Sequence, residues 1–143
     1  MYEPKHFGAY ELLPEDFYRK YEHLNDKFWL MFDDRLLYTI DWLRDVYGPI
    51  TLNDWYWGGQ NQSRGWRHFN CETGAFLSQH KFGRAADCTF KNTSAGEVRQ
   101  AIREDPYSGI FQHITCIEDD VDWLHLDMRN WDKSRNGLLI IKP

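Results

Sequence analysis

Two short segments that lie far apart in the chain constrain its fold most strongly. Residues 78–87 read Ser-Gln-His-Lys-Phe-Gly-Arg-Ala-Ala-Asp and contain His80 and Asp87, and residues 122–127 read Asp-Trp-Leu-His-Leu-Asp and contain His125. Two imidazoles and one carboxylate can hold a catalytic zinc ion and leave a fourth position open for water. A structural zinc site is usually closed by four ligands, so three ligands favour a hydrolase. We therefore expect a fold that brings these three side chains together around one Zn²⁺ ion.

The composition fits one domain that does not bind nucleic acid. The chain has 143 residues and a formal net charge of -5, and domains typically run about 100–200 residues. No run of Lys or Arg indicates a nucleic-acid surface. The three cysteines lack the Cys-x-x-Cys spacing of a thiolate metal site, and their odd number does not suit a disulfide framework. We therefore expect free thiols and a single domain over residues 1–143.

The sequence shows no signal for crossing a membrane. No apolar run reaches the roughly 18 residues that span a bilayer. The N-terminal Met-Tyr-Glu-Pro-Lys-His lacks the basic and apolar regions of a signal peptide. We therefore expect synthesis in the cytoplasm, no membrane span, and any export by another route. No feature predicts an oligomeric state.

Two helices are predicted from the spacing of apolar residues and from capping signals. Apolar residues at helical spacing predict a long helix over residues 26–47, which Gly48 and Pro49 end. Ser-Ala-Gly-Glu at residues 94–97 is a capping box that opens a second helix, which we expect to run to residue 104. The first helix makes residues 1–49 an N-terminal helical part, ahead of the core that carries the two motifs.

Strand patterns in the rest of the chain predict a sheet. Residues 60–79 are rich in Gly, Asn and Ser and predict a long loop, which inside a compact domain is usually functional or mobile. Because strands and helices do not alternate regularly, the class that fits best is α+β with a largely antiparallel sheet. The expected strands cover residues 50–57, 85–90, 111–117, 123–128 and 138–141.

The ligand residues suit a loop that enters one strand and the polar face of another. Gly83 lies between the first two ligands and permits a turn that an ordinary side chain would resist. Side chains alternate in a strand over residues 123–128, so Trp123, His125 and Asp127 share one face. We expect that face to present His125 to the metal ion.

The two segments together resemble those of a known family. The string S-x-H-x-x-G-x-A-x-D over residues 78–87, followed by D-x-x-H from Asp122 to His125, resembles the zinc D-Ala-D-Ala carboxypeptidases, dipeptidases and phage endolysins. The tripeptide Gly-Trp-Arg that ends at Arg67 is similar to the Gly-Tyr-Arg element of that family. The resemblance covers residues 50–131. It implies a Hedgehog/DD-peptidase-like fold, with an antiparallel sheet and flanking helices in a single domain.

The resemblance implies a role for each residue that matches the motifs. His80, Asp87 and His125 would bind Zn²⁺. Asp122 would be the general base that takes a proton from water and passes it to the leaving amine. Arg67 would bind a substrate carbonyl or carboxylate, where a guanidinium stabilises the negative charge that develops on the oxygen.

The general base has alternatives. Many members of the family carry Glu at the position of Asp122. In a regular strand Asp122 would also point away from His125, because the two residues are an odd number of positions apart. Either the chain bends at Asp122, or a neighbouring acid serves instead. The neighbouring acids are Glu118, Asp119 and Asp120.

Other side chains near the motifs are candidates for supporting the metal ligands or the substrate. Arg64 lies close enough to Arg67 to take its place. Ser78 and Asp127 can hydrogen-bond to metal-bound histidine or carboxylate groups, which generally need such partners. Trp123 shares a strand face with the last ligand and is a candidate for contact with the substrate.

The resemblance also implies a reaction and a place of action. The reaction would be hydrolysis of a peptide bond in the peptidoglycan stem peptide, by a carboxypeptidase or an endolysin-type endopeptidase, with zinc-activated water attacking the carbonyl. The short chain without an export signal favours a phage-type lysin released through a pore made by another protein, or a virion-associated peptidase. The alternatives are a non-catalytic zinc-containing binding module and a phage structural module of the same fold.

Overall fold

In the computed structural model, which describes all of residues 1–143, a five-stranded mixed sheet forms the frame of an α+β domain with four α-helices. The α-helices are α1 (Glu15–Tyr21), α2 (Asp34–Tyr47), α3 (Ala95–Glu104) and α4 (Lys133–Asn136). The strands are β1 (Ile50–Thr51), β2 (Ala85–Phe90), β3 (Cys116–Glu118), β4 (Leu124–Asp127) and β5 (Leu139–Ile141). Short 3₁₀ helices cover Ala9–Glu11, Glu22–Met31, Trp55–Trp57 and Gln79–Phe82. None of the helices combines the length and the apolar character needed to span a membrane.

The sheet has the strand order β1-β2-β4-β3-β5. Neighbouring strands are antiparallel except for β3 and β5, which are parallel. The predicted α+β class is therefore confirmed, and the sheet is largely antiparallel with one exception. That exception arises because the segment between β4 and β5 is long enough to cross β3. It contains α4, and it returns the chain to the far side of β3.

The single long helix predicted over residues 26–47 is wrong, because the chain interrupts it before α2. Glu22–Met31 is a 3₁₀ segment, and Phe32 after it has an extended backbone (φ -113°, ψ 147°). Asp33 is the N-cap of α2, and its carboxylate accepts a hydrogen bond from the Arg35 amide at 2.9 Å. Such a bond satisfies a donor that the first turn of a helix leaves free. The apolar spacing does not reveal the break, because both pieces contribute buried apolar residues to the same core.

The predicted strand over residues 50–57 is wrong beyond Thr51. The side-chain amide of Asn53 and the indole nitrogen of Trp55 both donate to the carbonyl of Leu13, at 3.1 and 2.8 Å. These buried hydrogen bonds tie the chain to the N-terminal part instead of the sheet. The segment therefore turns into a 3₁₀ helix after two strand residues.

The remaining secondary-structure predictions hold in part. Helix α3 and strand β2 have the predicted bounds, and Ser94 and Glu97 form the predicted capping box. Strand β3 starts later than predicted because residues 111–113 form a turn, and β4 and β5 lack one or two of their predicted end residues. The predicted loop over residues 60–79 contains no strand or helix before residue 79.

One face of the sheet packs on the hydrophobic core and the opposite face carries polar groups. Ala86, Leu126 and Ile117 lie side by side on β2, β4 and β3, and all three are fully buried. Because side chains alternate along a strand, Asp87 and its cross-strand partner His125 point to the opposite face. The helix residues that complete the core without exposed surface include Leu36, Leu37, Ile40 and Leu43 of α2 and Val98 and Ile102 of α3.

Gly83 leads the chain into β2 at a position that tolerates no side chain. Its φ is +66°, and an added Cβ would lie 2.1 Å from the carbonyl oxygen of Met31. We expect Gly83→Ala to lower the free energy of unfolding by more than about 1 kcal/mol, measured by chemical denaturation. Gly109→Ala is the control, since its added Cβ would have no atom within 4 Å. Equal stability of the two variants would contradict this explanation.

Candidate metal centre

The structure brings His80, Asp87 and His125 together on the polar face of the sheet. Asp87 on β2 and His125 on β4 are direct cross-strand partners, and His80 reaches them from the 3₁₀ helix before β2. Their ligand atoms all lie within 4.8 Å of one another. The three residues are only 1%, 4% and 7% exposed, respectively. A buried group of two imidazoles and one carboxylate can hold a metal ion.

His80 presents an unpaired nitrogen to this group. Its Nδ1 atom lies 2.6 Å from the carbonyl oxygen of Gly65. A carbonyl only accepts hydrogen bonds, so Nδ1 carries the proton and Nε2 carries the lone pair. The Nε2 atom is buried and has no hydrogen-bond partner. A buried lone pair without a donor is costly, and a metal ion would satisfy it.

His125 is oriented by a second carboxylate behind it. Its Nε2 atom lies 3.1 Å from Oδ2 of Asp127, which is fully buried. Arg129 in turn donates to both Asp127 oxygens, from Nε at 2.9 Å and from Nη2 at 2.6 Å. Metal-bound histidines are usually held by a carboxylate or a carbonyl in this way. Asp127 therefore has the supporting contact predicted for it, and Nδ1 of His125 is left to face the ligand group.

Asp87 is held from its other side by Arg67. Nη2 of Arg67 lies 3.0 Å from Oδ2 of Asp87, while Nε and Nη1 donate to the carbonyls of Ser63 and Thr73. The Arg67 side chain is about nine-tenths buried. Oδ1 of Asp87 is thereby left to face the two histidines. Arg67 thus holds the Asp87 carboxylate and, through the carbonyls of Ser63 and Thr73, two positions of the loop beside the site.

The spacing of the donor atoms fits a metal ion. With ligand bonds of about 2.0–2.1 Å, two donors in a tetrahedral site lie about 3.3 Å apart. Nε2 of His80 and Oδ1 of Asp87 are separated by 3.3 Å. Nδ1 of His125 lies 2.7 Å from the same oxygen, a hydrogen-bond distance, so an ion would replace the proton between them. Donors of these types suit Zn²⁺ and several other divalent ions.

Burial and hydrogen bonding give the two histidines different protonation states. Burial lowers the pKa of His80 by more than the nearby Asp87 raises it, so this ring is neutral at physiological pH. Burial also acts to lower the pKa of His125, but hydrogen bonds to Asp127 and Asp87 outweigh it and raise the pKa to about 9. Burial would raise the pKa of Asp87, but the hydrogen bond from the protonated His125 ring holds it well below its usual range.

A cavity of about 520 Å³ opens in front of the ligands. Its charged lining consists of Asp87, Glu118, Arg67, Arg129 and Lys142, besides the two histidines. Four buried side-chain polar atoms in the protein lack a hydrogen-bond partner, and three of them belong to cavity residues: Gln79, His80 and Trp123. Unpaired buried polar groups that gather in one cavity indicate a place where a ligand supplies the missing partners.

Several predicted residues lie at the cavity without touching the ligand atoms. Ser78 and Trp123 both line it, but Ser78 makes no side-chain capping bond. Arg64 lies over the Trp123 ring, with Cζ 5.4 Å from the ring centroid, and donates to Thr89 at 2.8 Å. Arg64 lines a smaller adjoining cavity of about 230 Å³, which Arg67 also lines. The structure therefore places both arginines near the site, and only Arg67 contacts a ligand.

Asp122 lies outside this cavity. It is exposed in the bend before β4 and lines a different cleft, together with Arg99 and Arg103 of α3. Trp123 after it shares the cavity with His125, as strand alternation predicts, so Asp122 points to the other side. The predicted role of Asp122 as general base stays a prediction, and this geometry does not support it.

Sequence reasoning missed Arg129 and the carbonyl of Gly65. Arg129 follows Asp127 by two residues. This short spacing of a basic and an acidic residue was the available signal for their ion pair. The contact between Gly65 and His80 joins residues 15 positions apart in the long loop, so no local pattern could reveal it.

The chain has no match among family models, curated proteins or solved structures. Its function must therefore be inferred from the geometry of the site.

Metal affinity is expected to depend on pH through His125. An ion must displace the proton from a ring whose pKa is about 9, whereas His80 is already neutral. The apparent association constant for Zn²⁺ should rise about tenfold per pH unit between about pH 7 and pH 9 and level off above that. Competition with a chromophoric chelator measures the slope. A flat profile, or a rise of about a hundredfold per unit, would contradict the displacement of a single proton.

Proposed function

We propose that this chain is a zinc-dependent peptidase that hydrolyses a peptide bond in the peptidoglycan stem peptide. The observation that carries the proposal is the buried group of His80, Asp87 and His125, with an unpaired Nε2 atom, at the floor of an open cavity. A purely structural metal site is usually closed by a fourth protein ligand. Here the fourth side opens to the cavity, as a reaction centre requires.

The fold also supports the proposal that the chain has a Hedgehog/DD-peptidase-like arrangement. Two adjacent antiparallel strands each contribute one ligand to the same face of the sheet, and the loop before the first strand contributes the third. The motif that resembles the D-Ala-D-Ala carboxypeptidases, dipeptidases and phage endolysins supplies all three ligands.

The metal ion proposed for the site is Zn²⁺, which His80, Asp87 and His125 would hold. When bound, a zinc ion supplies a Lewis acid that polarises a carbonyl and makes water a nucleophile near neutral pH. Asp127 and Gly65 hold the two histidines in the orientation that this requires, each through the ring nitrogen that does not face the ligand group. Neither ring can turn without losing a buried hydrogen bond.

The positively charged side chains of the cavity suit a substrate that carries carboxylates. Arg67 uses three of its five N–H groups for Asp87 and two backbone carbonyls, so two are left for a substrate carbonyl or carboxylate. Arg129 and Lys142 add positive charge to the same lining. Stem peptides carry free carboxylates, which these side chains would attract. Trp123 supplies an unpaired indole N–H at the same wall.

The place of action follows from the proposed reaction and the resemblance. The peptidase would act on the cell wall after release through a pore made by another protein, or as part of a virion. A non-catalytic module that keeps the metal for structure is the second candidate, and the position of Asp122 outside the cavity is the observation that favours it.

Murein digestion separates the two candidates. The zinc-reconstituted protein should release fragments with new amino and carboxyl ends from purified sacculi, as read by mass spectrometry. A chelator should stop the release and added Zn²⁺ should restore it. His125→Ala should lower the rate at least about 100-fold, because it removes a metal ligand. His23→Ala is the control, since His23 is exposed and lies outside the cavity.

A non-catalytic binding module would give a different result. It would hold zinc with the same ligands, but the sacculi would stay intact whether or not the ion is present. Release of fragments that is indifferent to chelation would contradict zinc-dependent hydrolysis.

A further inference from the structure

Two acidic side chains line the cavity in front of the ligands, Asp87 and Glu118. Asp87 is committed, because one of its oxygens binds Arg67 and the other faces the two histidines. The Glu118 carboxylate forms no hydrogen bond or ion pair with another residue. The contact of Glu118 with Arg99 is made by its backbone carbonyl, which accepts a hydrogen bond. Glu118 is thus the only acidic side chain of the cavity whose carboxylate is not paired with another residue.

The pairing of β3 with β4 directs Glu118 to the face of the sheet that carries the ligands. Cys116 pairs with Asp127 and Ile117 pairs with Leu126, and one further step along this register brings Glu118 opposite His125. Ile117 is fully buried in the core. By strand alternation Glu118 therefore points to the opposite face, which is the face of the metal centre.

The other acids of this region are engaged or lie elsewhere. Asp119 forms an ion pair with Arg103, and Asp120 lies 3.2 Å from Lys142 at the surface. Asp122 lines the cleft on the α3 side. Of the four acids that precede the last ligand, only Glu118 lines the cavity of the metal centre.

The backbone that carries Glu118 is fixed by an arginine from the other side of the sheet. Arg99 of α3 donates to the carbonyls of Glu118, Val121 and Trp123, at 3.0, 2.9 and 2.6 Å. Its side chain is largely buried. Three hydrogen bonds from one guanidinium hold the whole bend between β3 and β4. A proton acceptor needs such a fixed position relative to the reacting atoms.

We infer that Glu118 is the general base and acid of this site, an inference that rests on the proposed peptidase function. The Glu118 carboxylate takes a proton from water as the water oxygen bonds to the carbonyl carbon of the substrate. When the C–N bond breaks, Glu118 returns that proton to the amine nitrogen. The products are a carboxyl group and an amine, and Glu118 ends as the carboxylate with which it began.

Glutamine in place of glutamate tests the inference, because it keeps the size of the side chain and removes its proton acceptor. Glu118→Gln should lower kcat for murein release by about 10²–10⁴-fold, while zinc stoichiometry and melting temperature stay at wild-type values. Glu104→Gln is the control, since Glu104 is an exposed acid at the end of α3, outside the cavity. It should leave kcat unchanged.

A shorter acid provides a second test that does not depend on the glutamine variant. Glu118→Asp keeps the charge but withdraws the carboxylate by about one bond length. A displacement of about 1 Å can cost about 10²-fold in rate, so we expect a loss of that order with the metal retained. Wild-type activity in Glu118→Asp would overturn the role of Glu118 as proton acceptor.

Asp122→Asn is the competing variant. A 100-fold or greater loss of kcat in Asp122→Asn is the effect expected when the base is missing. If this loss occurs while Glu118→Gln stays near wild type, Asp122 is the base and the inference is overturned. If neither the wild type nor any variant cleaves murein with zinc bound, the proposed function is wrong and the inference is wrong with it. Zinc-dependent cleavage that Glu118→Gln leaves unchanged overturns the inference alone.

Discussion

The cross-strand pairing of Asp87 with His125 is the contact on which the site depends. Because side chains alternate along a strand, a slip of one residue between β2 and β4 would turn one of the two toward the core. Ala86 and Leu126, which pair beside them, are fully buried on the core face. The hydrophobic packing of one face of the sheet thus fixes the position of Asp87 and His125 on the other face.

Burying so many charged groups is costly, and the site offsets this cost by pairing every charge. His125 lies between Asp87 and Asp127, and each of these carboxylates has its own arginine, Arg67 or Arg129. Buried ion pairs contribute little net stability, but removing one partner is strongly destabilising. We therefore interpret this chain of charges as an arrangement that orients the ligand atoms. Its two arginines also line the cavity.

The group of His80, Asp87 and His125 could be predicted from the sequence, because these residue types at this spacing are typical of a metal site. The strand that carries His125 could be predicted because its alternation is local. The position of Asp122 could be anticipated from the same alternation, which points it away from His125. The sequence offered Glu118, Asp119 and Asp120 as alternatives to Asp122, but it could not show that Glu118 alone lines the cavity, because this depends on the register of β3 against β4. The hydrogen bond from His80 to Gly65 likewise depends on the path of a loop that has no periodic pattern.

The central claim is that one metal ion is held jointly by two imidazoles and one carboxylate. Anomalous diffraction from crystals grown with zinc, recorded on both sides of the absorption edge, tests it most directly. The account predicts a single strong peak within about 2.0–2.2 Å of Nε2 of His80, Oδ1 of Asp87 and Nδ1 of His125. No peak at this position, or a zinc ion bound by other residues, would contradict it.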